Sequence, residues 1–300
     1  MSLSSRSLGS GRWTKRKWSR RSQLQDAAST ALRRALLSER ARSWTKVVEY
    51  YTELLDILNQ VEVYQISDPD VSLAQLLYES HFHLAVALQN LNLHRKAIQQ
   101  LENAAAIASI PKNGCNVGCK YETFFHTPIF SRMAYSHAAC GQMKEAIKDA
   151  NKAISLDNLN PDVYCVRALV WNSCKETKRA IYDLNCGLRL NPSHICTLIL
   201  RGAITKSIAN ENEQCDENKD HEKVCKICPT NKRFLDVTDF SSPKMADFYD
   251  KFLWSLDVPH TITVVKLSER QTSSLSITSS DLEEVCQLLL QDSRVHKLYV

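Results

Sequence analysis

The sequence predicts an all-α protein of helix–turn–helix repeats, as three observations indicate. The tripeptide Glu145–Ile147 recurs as Arg179–Ile181, which lies 34 residues later. The same offset relates Ala134 to Ala168 and to Gly202, so small residues recur at one position of each unit. Only 7 Gly and 8 Pro occur among 300 residues, which argues against a turn-dense all-β fold and against a Gly-rich phosphate loop.

Each unit is predicted to contain two amphipathic helices joined by a short turn near Asn92, Gly141 or Lys175. The pairs Asn160-Pro161 and Asn191-Pro192 mark the exits of two units, because proline cannot continue a helix and biases the preceding residue towards extended geometry. The recurring Ala and Gly residues allow the paired helices to approach each other closely.

These residues resemble tetratricopeptide repeats, whose period is 34 and whose unit is a helical hairpin. The resemblance implies a right-handed α-solenoid with a concave binding surface formed mainly by the first helix of each repeat. The predicted organisation begins with a basic, Ser/Arg-rich disordered tail at 1–25 and a degenerate unit at 28–61. Repeats follow at 78–111, 127–160 and 161–194, with an insertion at 112–126. The chain then continues as a partial repeat with an acidic Cys-containing insertion at 195–257 and a C-terminal extension at 258–300 with a strand-like segment and a helix.

Two acids and two bases also follow the period. Asp149 and Asp183 are 34 residues apart, as are Arg167 and Arg201, and each Asp precedes its Arg by 18 residues. We therefore expect the acid on the second helix of one repeat to face the base on the first helix of the next. The alternative is that all four are ordinary exposed helix residues.

The net charge of +5 comes from the N-terminus. Residues 1–22 hold seven Lys and Arg and no acid, whereas the remaining residues carry 31 basic and 33 acidic side chains, so nucleic acid is not the expected partner. No apolar stretch has the length of a membrane span. Eleven cysteines without a secretory signal favour a reducing compartment, the cytoplasm, with a nuclear or mitochondrial address of the tail as the alternatives.

The expected function is that of a non-catalytic scaffold or adaptor, because no phosphate loop, His-Glu-x-x-His or Gly-x-Ser-x-Gly motif is present. The predicted partner-binding stripe on the first helices is apolar to neutral and consists of Phe82, Val86, Ser131, Tyr135, Cys165, Leu169 and Ile199. It lacks the Lys, Asn and Arg set that the resemblance associates with chaperone carboxylate clamps. The stripe therefore favours a partner helix or extended peptide, unless the C-terminal region of the chain itself covers it.

A zinc site is a further candidate. Cys225 and Cys228 have the spacing of a metal-ligand pair, and Cys215 and His221 lie just upstream. The alternative is an acidic flexible insertion with incidental cysteines, in which case no cofactor is expected. A zinc-containing or nucleic-acid-associated adaptor, using this insertion and the basic tail, is the alternative function.

Overall fold

The computed structural model describes residues 10–60, 73–108, 121–211 and 219–258, and in these ranges all regular structure is helical. The α-helices are α1 Ser10–Arg40, α2 Trp44–Asn59, α3 Leu73–Asn90, α4 His94–Ala108, α5 Tyr121–Ala139, α6 Met143–Leu156, α7 Pro161–Ser173, α8 Thr177–Leu190, α9 Ile195–Glu211, α10 Lys219–Ile227 and α11 Met245–Phe252, with 3-10 helices at Pro229–Phe234 and Trp254–Leu256. The predicted strand and helix of the C-terminal extension lie outside the described residues.

The chain divides into two compact units, of which the first runs to Ser80 and the second from His81 to Pro259. In the first unit, α1 and α2 pack as a hairpin. Small side chains such as Ala35 on α1 and larger ones such as Val47 and Leu54 on α2 are fully buried. This hairpin includes the degenerate unit predicted at 28–61, but α1 begins at Ser10, so the prediction of a disordered tail is wrong for residues 10–25.

The second unit is a stack of helical hairpins, and their turns share one geometry. Asn92, Gly141 and Lys175 each adopt the left-handed conformation, with φ of 58°, 75° and 64°. In every case the next residue donates its backbone N–H to a carbonyl five residues earlier, as Glu176 does to Trp171 at 2.9 Å. This pattern is the Schellman motif, which satisfies carbonyls left unpaired at a helix end. The three predicted turn positions are confirmed.

Small residues bring the helices together, as the period predicts. Ala134 and Ala168 on the first helices and Ala146 and Ala180 on the second helices have no exposed surface. A Cβ atom built on Gly187 would lie 3.2 Å from Oγ1 of Thr197 in the next hairpin. Successive hairpins therefore touch closely at this point.

The predicted charge pairs are wrong in their partners. Arg167 forms a two-pronged ion pair with Asp183 of its own hairpin, with Nε and Nη2 at 2.8 Å and 2.7 Å from the carboxylate oxygens. Arg201 binds Asp220 on α10 in the same way, and Asp149 pairs with His137 at 2.7 Å. The antiparallel path of the two helices in a hairpin sets these acids beside the base, so the pairing is within hairpins.

An amide takes the place of the expected acid between hairpins. Nη1 of Arg167 donates to Oδ1 of Asn151 on the preceding hairpin at 2.8 Å, and Nη1 of Arg201 donates to Asn185 at the same distance. Asn151 and Asn185 are themselves 34 residues apart. Each Arg thus ties its own hairpin together and links it to the hairpin before.

The last hairpin is completed by a helix from the segment predicted to be an acidic insertion. The apolar sequence after Pro243 also predicts a helix, which could replace a missing second helix of this repeat. Instead α10 packs on α9 and takes this position, and the Arg201–Asp220 pair holds it there. The helix after Pro243 is α11, which begins at Met245.

The turns provide a paired stability test. Gly141→Ala should destabilise the protein by about 1 kcal/mol, because a non-glycine residue is strained at positive φ. Lys175→Gly should stabilise it by a similar amount, because it relieves the same strain. A Cβ at Gly141 meets no atom within 4 Å, so no steric clash adds to this strain. Urea unfolding measures the change in the free energy of unfolding for each variant. Changes of the same sign in the two variants would contradict this explanation.

The charge pairs are tested by two double-mutant cycles. Arg167→Met and Asp183→Asn should show a coupling energy of about 1 kcal/mol or more in thermal or urea unfolding, because the two side chains share two hydrogen bonds. Arg201→Met and Asp183→Asn should be additive, since Arg201 binds Asp220 instead. Coupling in the second cycle and additivity in the first would instead show that Asp183 pairs with Arg201 of the next hairpin.

Candidate functional site

The seven side chains of the predicted partner-binding stripe are all buried. Five have no exposed surface, and the most exposed, Val86, keeps only 7%. The buried residues are Phe82, Val86, Ser131, Tyr135, Cys165, Leu169 and Ile199. The expectation of an open apolar groove is therefore wrong for this structure.

The groove is filled mainly by residues 229–258, which follow α10. Together with α10 they form residues 219–258, which we call the covering segment. Tyr135, Cys165, Leu169 and Ile199 belong to one continuous apolar cluster with ten buried residues of this segment. Those ten are Val224, Phe234, Val237, Phe240, Met245, Phe248, Tyr249, Phe252, Leu253 and Leu256. Burial of this apolar surface is the main force that holds the segment in place.

Direct contacts fix the position of the covering segment. The ring of Tyr135 stacks on Phe240 and Tyr249, with centroid separations of 4.9 Å and 5.9 Å. Nδ2 of Asn172 donates to the backbone oxygen of Thr238 at 3.0 Å. Aromatic stacking and hydrogen bonds of this kind select one arrangement of the segment among many that would bury the same area.

Arg132 on α5 is a buried charge at the centre of this contact, and the sequence analysis did not identify it. Its side chain is 2% exposed, and its guanidinium lies 4.2 Å from the ring centroid of Tyr249. Nη1 donates to Oε1 of Gln89 on α3 at 3.1 Å. Nη2 lies 3.6 Å and 3.9 Å from carboxylate oxygens of Asp257 and Asp250. A charge that is buried to this extent needs such partners. All of them except Gln89 belong to the covering segment.

A cleft remains open beside the filled groove. Its volume is about 750 Å³, and it runs along the turns of three hairpins and one edge of the covering segment. The lining residues include Asn90, Asn92, His94, Met143, Ser173 and Lys175 from the hairpins and Asp239 to Pro243 from the segment. Amide, hydroxyl and charged groups therefore dominate its walls.

One buried polar atom in this cleft has unused hydrogen-bonding capacity. Nδ1 of His94 has no hydrogen-bond partner among the described residues. Burial lowers the pKa of His94 below its usual value, so the ring is neutral at pH 7 and can donate or accept. Its ring packs edge-on against Tyr135 with centroids 5.2 Å apart.

A buried cluster of polar side chains lies between α7 and α9. Ligand atoms of Asp162, Cys165 and His194 all lie within 4.8 Å of one another. Nε2 of His194 is 3.1 Å from Oδ1 of Asp162. Oγ1 of Thr197 is 2.7 Å from Nδ1 of His194 and 3.1 Å from Sγ of Cys165. The hydroxyl of Ser255, in the covering segment, hydrogen-bonds to Oδ2 of Asp162.

The surroundings shift both titratable partners in this cluster. Burial raises the pKa of the Cys165 thiol, but hydrogen bonds with Cys196 and His194 outweigh it, and the result lies below the usual value. Burial lowers the pKa of His194, and its bonds to Asp162 and Cys165 more than reverse this effect. A thiol, an imidazole and a carboxylate also form nucleophilic sites. Cys165 has no exposed surface, so a substrate has no access to it here.

The predicted zinc ligands do not come together in the described part of the chain. Cys215 lies outside the described residues. His221, Cys225 and Cys228 do not form a group with ligand atoms within 4.8 Å of one another. Nε2 of His221 is instead 3.1 Å from the backbone oxygen of Ile199, which places this ring against α9.

A weak signal of the Asp162–Cys165–His194 cluster is present in the repeat alignment. His194 lies 34 residues after Asn160, which caps α7 by accepting from the backbone N–H of Asp162 at 2.9 Å. A histidine thus stands where the preceding repeat has a helix cap. No such signal marks Arg132, because the period aligns its neighbour Met133 with Arg167.

The sequence matches no protein-family model and no curated protein. Similar solved structures include MamA, at 14% identity over 70% of this chain and 96% of that one, with a TM-score of 0.44. MamA from Desulfovibrio magneticus RS-1 shows 13% identity over 69% and 97%, with a TM-score of 0.44. YrrB, described as a TPR protein with an unusual peptide-binding site, shows 12% identity over 67% and 86%, with a TM-score of 0.39.

A likeness of this degree assigns no function. The hairpins of this chain match the tetratricopeptide pattern by their own features. These are the 34-residue period, the left-handed turns and the buried small residues at the helix contacts. Among the described residues, no helix is both long enough and apolar enough to span a membrane.

The filled groove predicts that its residues behave as core. Phe82→Ala, Tyr135→Ala and Leu169→Ala should each destabilise the isolated protein by about 2–5 kcal/mol, because each leaves a cavity. Leu159→Ala is the control, since Leu159 is 76% exposed, and it should change stability by less than about 0.5 kcal/mol. Urea unfolding measures all four. If the groove variants were as stable as the control, the groove residues would be exposed to solvent and the account would be wrong.

Proposed function

We propose that this chain is a non-catalytic protein-interaction scaffold that binds an extended segment of a partner polypeptide in the cleft of about 750 Å³. The observation that carries the proposal is the position of this cleft. It crosses the turns of consecutive hairpins, so that equivalent positions such as Asn92 and Lys175 line it in sequence. A repeated surface of this kind suits an elongated ligand.

The chemistry of the walls supports a peptide backbone as the ligand. An extended peptide exposes one N–H and one C=O group per residue, and these need partners once water is excluded. Asn90, Ser173 and the unpartnered Nδ1 of His94 supply donors and acceptors. Lys175 and Asp239 add opposite charges, which would orient a partner segment that carries both signs.

The part of the apolar stripe from Tyr135 to Ile199 packs against the chain's own covering segment. A partner helix could reach it by displacing residues 219–258, which would expose the ten buried apolar side chains of that segment and separate Arg132 from Asp250 and Asp257. Binding in the cleft requires neither change, and this difference favours the cleft.

The enclosure of the Cys165 thiol supports the non-catalytic part of the proposal. A nucleophile must be within reach of its substrate, and Cys165 is fully buried with Ser255 of the covering segment beside its neighbour Asp162. Neither alternative based on the Cys225–Cys228 pair or on the basic tail gains a described contact that favours it.

A selection from a random peptide library on the full chain tests this function. The affinity of an enriched peptide, measured by fluorescence anisotropy, should fall about tenfold or more with Lys175→Glu or Asn90→Ala. Tyr182→Ala is the matched surface control, because Tyr182 is 62% exposed on α8, and it should leave the affinity unchanged. Melting temperatures of the variants check that the fold is retained.

The opposite result is equally clear. The affinity could instead be unchanged by both cleft variants and rise with Phe248→Ala, which loosens the covering segment. Such a peptide would bind in the apolar groove. In that case the covering segment is a competitor of the partner, and the cleft is not the binding site.

A further inference from the structure

The buried cluster between α7 and α9 contains a carboxylate oxygen that accepts no hydrogen bond within the described part of the chain. Asp162 is 3% exposed, and its Oδ1 accepts no hydrogen bond from any described residue. Nε2 of His194 is 3.1 Å away and forms an ion pair with this oxygen when the imidazole is protonated. A buried carboxylate is costly unless a cation compensates it, and a metal ion bound by both groups would take over that role from the imidazole proton.

The remaining hydrogen bonds of the cluster indicate where protons are needed. The hydroxyl of Thr197 has one proton and lies within reach of both His194 Nδ1 and Cys165 Sγ. All three groups are satisfied when Nδ1–H of His194 donates to Thr197 and the Thr197 hydroxyl donates to a Cys165 thiolate. Metal binding releases the Nε2 proton, and the lone pair left on Nε2 then lies 3.1 Å from Oδ1 of Asp162.

We infer that Asp162, Cys165 and His194 form a binding site for a transition-metal cation of the zinc class. The site joins two consecutive hairpins beneath the covering segment. It is distinct from the site that the sequence suggests around Cys225 and Cys228, and no residue is shared between them.

The donor set and its spacing fit this class of metal. Thiolate and imidazole donors select zinc and related transition metals over magnesium or calcium, which prefer oxygen. Tetrahedral zinc with bonds of about 2.0–2.1 Å to nitrogen and oxygen separates those two ligand atoms by about 3.3 Å. The observed separation between Nε2 and Oδ1 is 3.1 Å, close to this value, and Sγ of Cys165 lies within 4.8 Å of a ligand atom of each of the other two residues.

Neighbouring hydroxyls hold the ligands in the orientation that metal sites use. A metal-bound histidine usually donates its other N–H to an oxygen, and a metal-bound carboxylate is usually hydrogen-bonded in turn. Thr197 provides the first of these partners and Ser255 the second. Because Ser255 belongs to the covering segment, the bound metal would also help to keep the groove filled.

The test uses the full chain, refolded with Zn²⁺ and desalted, and measures zinc by mass spectrometry. Wild type should retain about one zinc per chain, and Cys165→Ser or His194→Gln should reduce this content at least tenfold. Cys174→Ser, at the end of the same helix, and the double variant Cys225→Ser with Cys228→Ser should keep it. The melting temperature of wild type should fall when a chelator removes the metal.

Two results would overturn the site. One is wild-type protein that takes up no zinc and melts at the same temperature with Zn²⁺ and with chelator. The other is zinc that disappears with Cys225→Ser and Cys228→Ser but stays in Cys165→Ser.

A second measurement decides the matter if the cluster variants do not fold. Co²⁺ added to the double variant Cys225→Ser with Cys228→Ser should give the near-ultraviolet absorption of a thiolate-bound tetrahedral cobalt ion. Absence of that absorption contradicts the proposal. Peptide binding in the cleft is measured separately, so failure of the metal site and failure of the proposed function are distinguishable.

Discussion

Burial of the apolar inner face of the hairpin stack is the constraint on which the second unit depends. The first helices of the hairpins carry Tyr135, Leu169 and Ile199 on one side, and this side cannot stay in water without a large loss of hydrophobic stabilisation. Residues 219–258 resolve this problem within the chain by filling the groove with aromatic side chains such as Phe240 and Phe248. The groove of the array is thus part of the hydrophobic core.

Polar groups at this contact make the arrangement specific. Arg132 is buried against Tyr249 and faces Asp250 and Asp257, and the hydroxyl of Ser255 binds Asp162. Such groups contribute little net stability, but they make other positions of the covering segment costly, because each would leave a charge or a hydrogen-bonding atom unpaired. The surface left for a partner is then the polar cleft along the hairpin turns.

The proposed metal site and the proposed cleft occupy different parts of the same unit. The cation would join α7 to α9 and, through Asp162 and Ser255, to the covering segment. The cleft lies along the turns near Asn92 and Lys175. Loss of the metal would therefore act on the cleft through the covering segment, whose residues 239–243 form one wall.

The amino-acid sequence is sufficient to predict the helical hairpins, their turns and their close contacts. These are local or periodic properties: a left-handed turn at Asn92 or Lys175 follows a helix of set length, and Ala168 recurs where two helices touch. It did not determine which side chains meet across the chain. Asp183 binds Arg167 and not Arg201, and Tyr135 meets Phe240 about a hundred residues later, because such partners depend on how helices and the covering segment pack. Only the tertiary structure could decide that the apolar stripe is covered.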